Sequence, residues 1–221
     1  MLDAYLTASI GQLSERARHL VASISAQLAR KQQLSPEFHP LAQTCRSQVN
    51  VLISDLYSLL HDPSYQQPGL QNIRLRAYKR AVAELDFVEC VGVAALTRVN
   101  DEDRKMTRLV ADIAVEIGYP LIPPVVSCQS QSYFQAFPDL TLLSIPLKEA
   151  HFLLHLPDLY HELGHFILNE QNNPATEPFT AALEAAIMAA RGHIATMLSQ
   201  PSRGPQGIVP RFQAWDANWV G

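Results

Sequence analysis

His161-Glu162-Leu163-Gly164-His165 sets two imidazoles four residues apart, with a carboxylate directly after the first. Positions four apart on a helix share a face, so both rings can reach one Zn²⁺ at roughly 2.0–2.1 Å. Glu162 points about a quarter turn away. That makes it a poor third ligand, but it is well placed to take the proton of a water attacking a carbonyl at the ion's open position. The chain has eight His among 221 residues, and a chance H-E-x-x-H is expected in about a few per cent of such sequences. The plain alternative is a core helix whose two His are satisfied by hydrogen bonds.

The residues around the motif predict a buried helix. Pro157 suits a first helical turn, Asp158 complements the N-terminal dipole, and Leu156, Leu159, Tyr160, Leu163, Phe166 and Ile167 surround the motif with apolar surface. Gly164 costs about 1 kcal/mol of helix propensity relative to Ala, which predicts a second backbone passing close by.

Composition narrows the function classes. With 48% hydrophobic and 17% charged residues, the chain can bury a sizeable core. A net charge of −4 and a pI near 6.0 give no electrostatic reason to expect nucleic acid. The basic cluster Arg74, Arg76, Lys79 and Arg80 reads as the solvated face of a helix. No apolar stretch approaches the ~18–20 residues that span a bilayer, so a membrane is not an expected partner. Cys45, Cys90 and Cys128 are widely spaced and read as buried free thiols. With no signal-peptide pattern at the start, a cytoplasmic location is the default expectation.

Periodicity organises the rest. Leu6, Ile10, Leu13, Ala17, Leu20, Ile24 and Leu28 recur in steps of three and four, predicting a long amphipathic helix. Ser35-Pro36-Glu37 reads as the start of a second, carrying Cys45, Val49, Leu52, Leu56 and Leu59. The two are long enough to pair as an antiparallel hairpin, and their seams also suit a protein partner bound through these N-terminal helices. A third helical region follows from about Leu70 to Val99, with Gly92 as its weak point. A fourth runs from Asp101 to Ile117, capped by Asn100 and stopped at Gly118. The prolines of 119–126 and the bounded run Leu140–Pro146 then predict a small sheet, and one of these strands could receive a peptide by backbone hydrogen bonds. The expected class is mainly α with a small β-sheet (α+β). Its expected division is a helical bundle over 1–118 and a metal-binding region over 119–221.

The H-E-L-G-H segment resembles the zincin metallopeptidases, whose shared feature is this helix. The resemblance implies bound Zn²⁺, His161 and His165 as ligands, Glu162 as the base, a small mixed sheet packed on the motif helix, and a protein or peptide substrate. The metzincin branch is closed, because the positions where it places Gly and His hold Leu168 and Gln171. The gluzincin branch draws its third ligand from a Glu on the following helix. Thr176-Glu177-Pro178 starts such a helix here, Phe179, Leu183, Ile187, Ala190, Ile194 and Leu198 form its stripe, and Glu184 falls near the gluzincin spacing. Met188 stands where that branch usually has an acidic residue. The rival third ligand is an acidic residue beyond Gly221, because Ala214–Gly221 reads like the opening of a buried helix and the chain would then be a fragment.

Other candidates are weaker. His151 and His155 are one turn apart but read as a buried approach to the motif, and Tyr119, Tyr133 and Tyr160 are available to stabilise an oxyanion. The expectation from sequence is a zinc-dependent metallopeptidase. The alternative is a helical protein-interaction module whose metal site is structural or vestigial.

Overall fold

A computed structural model describes residues 2–29, 34–67, 69–130, 133–146, 156–170 and 172–198. The chain divides into two compact units, Met1–Asn169 and Glu170–Gly221. Among the described residues the first is helical around a three-stranded sheet, and the second holds one long helix.

In the first unit, α1 (Leu2–Ala29) and α2 (His39–His61) pack through the stripes read from the sequence, with Leu6, Ile10, Leu13, Ala17 and Ile24 facing Cys45, Val49, Leu52, Leu56 and Leu59 in one buried cluster. Ser35 makes no capping bond. Its hydroxyl instead donates to the Glu37 carboxylate, and a 3₁₀ turn, Pro36–Phe38, leads into α2.

The third helical region is α3 (Gln71–Phe87), a π-helical segment (Val88–Val93) and the short α4 (Ala94–Thr97). Gly92 lies in the widened turn. A Cβ there would stand 2.5 Å from Cys45 Sγ and 3.3 Å from Leu140, so the glycine lets this helix approach both α2 and the turn that holds Leu140.

The basic cluster is not wholly solvated. Arg76, Lys79 and Arg80 are exposed, but Arg74 is 1% exposed, on the same face of α3 as buried Ala81 and Leu85. Its guanidinium donates to the Leu59 carbonyl at 3.1 Å, to Asp3 at 2.8 Å and to the Thr7 hydroxyl at 3.0 Å, joining three helices. The planar five-donor fork makes this burial tolerable where a lone ammonium would be costly.

Helix α5 (Asp101–Glu116) opens on a complete capping box between Asn100 and Asp103, and Gly118 follows it at φ +65°. The sheet has the order β1–β3–β2, with β1 (Val125–Ser130) parallel to β3 (Leu142–Pro146) and β2 (Gln135–Phe137) antiparallel to it. A 3₁₀ turn at Pro138–Leu140 and Thr141 in the left-handed region (φ 52°) link β2 to β3. The run Leu140–Pro146 therefore supplies the central strand, paired on both sides, and cannot receive an added strand. Residues 119–124 precede the sheet, and the strand begins at Val125.

A second buried cluster joins α5, the sheet and α6 (Leu156–Asn169): Met106, Val110, Val126, Leu143, Ile145, Leu159, Leu163 and Phe166. The described residues are thus mainly helical with a small mixed sheet, an α+β arrangement. No helix among them is long and apolar enough to cross a membrane.

Cys45, Cys90 and Cys128 are free, but only Cys45 and Cys128 are buried. Cys90, in the π-helical segment, is exposed. Burial pushes the Cys45 and Cys128 thiols up to about 12.

Candidate metal centre

Helix α6 carries the motif in its middle, with Pro157 and Asp158 in its first turn. Leu159, Leu163 and Phe166 pack on the sheet and Glu162 is buried with them, while His161 and His165 are exposed. The helix is therefore buried along one face and not all round, and the imidazole pair lies on the open face. Gly164 meets no close backbone, since a Cβ added there would have nothing within 4 Å. Among the described residues, the close backbone expected at this glycine is absent.

His161 Nε2 and His165 Nε2 stand 3.2 Å apart, their rings nearly perpendicular at 87°. Two nitrogens each about 2.05 Å from a tetrahedral Zn²⁺ would be separated by about 3.3 Å. The measured separation fits two rings sharing one ion, and it is equally the length of a hydrogen bond between the two imidazoles. Ligand atoms of His161, Glu162 and His165 all lie within 4.8 Å of one another, and among the described residues no other group of three His, Cys, Asp or Glu side chains is gathered this way.

Glu162 is 7% exposed, and its Oε2 accepts the backbone N–H of Ala136 at 2.6 Å. Ala136 is the middle residue of edge strand β2, opposite Leu143. Gln135 and Phe137 lie opposite Ser144 and Leu142. In such a ladder, hydrogen-bonded and non-hydrogen-bonded pairs alternate, so an N–H spent on Glu162 marks Ala136 as the non-hydrogen-bonded position, facing out from the sheet. An open groove of about 540 Å³ runs past this point, lined by Phe134, Gln135, Ala136, Glu162, His165 and Leu168. A second cavity of about 340 Å³, between α2 and α3, is lined by Val49, Leu52, Glu84 and Phe87 and by no imidazole or thiol.

Three tyrosines were candidates for an oxyanion site. Tyr119 donates its hydroxyl to the Leu163 carbonyl at 3.3 Å, and burial pushes that phenol up to about 12. Leu163 is on the packed face of α6, so Tyr119 braces the back of the motif helix. Tyr133 and Tyr160 are 52% and 45% exposed.

In the second unit, Glu184 is exposed on α7 (Glu177–Leu198), about two turns from its start. Thr176 is fully buried; its hydroxyl donates to the Glu170 carbonyl at 2.6 Å, and Ala175 N–H donates to Asn173 at 3.0 Å, shaping the turn before the helix. His151, His155 and the Ala214–Gly221 run lie outside the described residues.

Sequence reading missed β2 and hence Ala136. A three-residue strand has no alternation to detect. The signals present were Phe134, a large apolar residue, and the Pro138-Asp139 turn that follows. Comparison with models of protein families, with curated proteins and with solved structures gives no match to this chain.

Proposed function

We propose that the chain is a zinc-dependent metallopeptidase of the zincin type, with His161 and His165 as ligands and Glu162 as the base. The observation that carries the reading is the 3.2 Å separation of the two Nε2 atoms beside a buried carboxylate. The mixed sheet, with antiparallel strand β2 meeting the motif helix at Glu162, supports it.

Zn²⁺ held between the imidazoles would supply Lewis acidity, polarising a scissile carbonyl and making a water easier to deprotonate. The chain's own residues do the rest. Glu162, 7% exposed where it lines the groove with Phe134 and His165, takes a proton from the attacking water and returns it to the departing amine. The open groove past Ala136 and Leu168 leaves space for a substrate beside that carboxylate.

Purification without chelators followed by elemental analysis tests the site. One zinc per chain is expected, lost on replacing His161 or His165 by Ala. Glu162→Gln is expected to keep zinc and lose peptide cleavage. A chain without zinc, or a Glu162→Gln variant that cleaves peptides like wild type, sinks the reading and leaves the helical interaction module.

A further inference from the structure

A glutamate has three rotatable bonds and no intrinsic reason to hold its carboxylate beside a metal-binding imidazole pair. Ordering so free a side chain costs conformational entropy. At 7% exposure, Glu162 also needs a partner within the protein to replace lost water. The 2.6 Å bond from Ala136 N–H supplies both the fixation and the partner.

We infer that the backbone N–H of Ala136 is the positioning group for the Glu162 carboxylate, fixing Oε2 against strand β2 and leaving the second oxygen for the attacking water. The inference rests on the hydrolytic reading above. Three features of the geometry support it. The donor is main chain, so no rotamer change can withdraw it. It is anchored by the pairing of Gln135 with Ser144 and of Phe137 with Leu142 on either side. And it lies at the non-hydrogen-bonded position of an edge strand, so holding the carboxylate takes nothing from the sheet. The same bond lets β2 sense α6: a shift of the strand moves the base relative to the imidazoles. A misplacement of about 1 Å in such a group can cost about 10²-fold in rate.

Ala136→Pro deletes this N–H. Proline is tolerated on edge strands where the N–H is outside the ladder, and the residue before it is already extended. The expected result is full zinc content, KM within about threefold of wild type and kcat lower by about 10- to 100-fold. Ala136→Gly, which keeps the N–H, is expected to restore most of that loss. A kcat for Ala136→Pro within about twofold of wild type overturns the inference while the zinc and Glu162→Gln results stand. Amide hydrogen exchange gives a readout that needs neither activity nor the proline variant. The Ala136 amide is expected to exchange at least about tenfold faster in Glu162→Ala than in wild type or Glu162→Gln. Equal exchange in all three overturns the contact itself, whatever the fate of the peptidase reading.

Discussion

At the β1 edge of the sheet, Val126 N–H is accepted by the Thr107 hydroxyl at 2.9 Å and Cys128 N–H by the Asp103 carboxylate at 2.6 Å. At the β2 edge, Ala136 N–H is accepted by Glu162 at 2.6 Å. Both edges are closed by side chains from a neighbouring helix, yet the closures differ in what they leave over. Outward amides two residues apart on a strand are about 6.6 Å apart, and side chains four apart on a helix about 6 Å, so α5 can match β1 bond for bond. Asp103 then spends its other oxygen on Asn100 N–H at 2.9 Å, completing the helix cap. Both oxygens of that carboxylate are then engaged. Strand β2 is too short for more than one outward amide, and its acceptor has exposed imidazoles on either side in the helix sequence. One hydrogen-bond pattern thus makes a seal on one side and a candidate reactive site on the other.

That contrast can be broken by exchanging what each acceptor loses. Glu162→Gln keeps an acceptor for Ala136, so its expected effect is a fall in peptide cleavage of about 10²- to 10⁴-fold with little change in thermal stability. A large drop in melting temperature would move Glu162 into the structural role of Asp103. For Asp103→Ala the expectation reverses. A buried N–H without an acceptor and a broken capping box together cost about 2–4 kcal/mol, or about 4–16 °C in Tm for a chain of this size, while zinc content stays at wild-type level. Thr107→Val removes one acceptor in place of two bonds and should cost about 1–3 kcal/mol, read in the same melting experiment.

The smallest effect is chemical. At pH 8 a thiol pushed up to about 12, as at Cys128, is ionised to only about one part in 10⁴, so Cys128 and Cys45 should resist a thiol reagent that labels exposed Cys90. Burial is the main cause at Cys128, and the adjacent Asp103 carboxylate adds to it. Both act against the thiolate, so Asp103→Ala should speed labelling of Cys128 and leave Cys45 protected. Rapid labelling of Cys128 in the native protein would mean that the β1 edge is not sealed.

The long helices were legible because their apolar residues repeat over several turns, and Asn100 was legible because a cap has a local signature. Arg74 was misread by chemistry, not by position. It occupies the buried register with Ala81 and Leu85, and that register outweighs its charge because three acceptors from other helices converge on it. Gly164 invited a packing explanation that the open space around it does not supply. At the site, the spacing of His161 and His165 was enough to bring their nitrogens together, because a helix turn fixes it. The partner of Glu162 was not legible, since it is a backbone group, carried by a strand of three residues, 26 positions away.

The Arg74 node also bears on where this chain tolerates cutting. Terminal residues are usually the ones that can be trimmed or replaced without cost. Here Asp3 and Thr7 hold two of the three bonds to a guanidinium that is 1% exposed. A version starting after Thr7 would leave that cation with the Leu59 carbonyl alone, and stranding a buried charge costs about 3–5 kcal/mol. Deletions are therefore better made elsewhere, and a shortened chain that fails to fold says nothing about the metal centre.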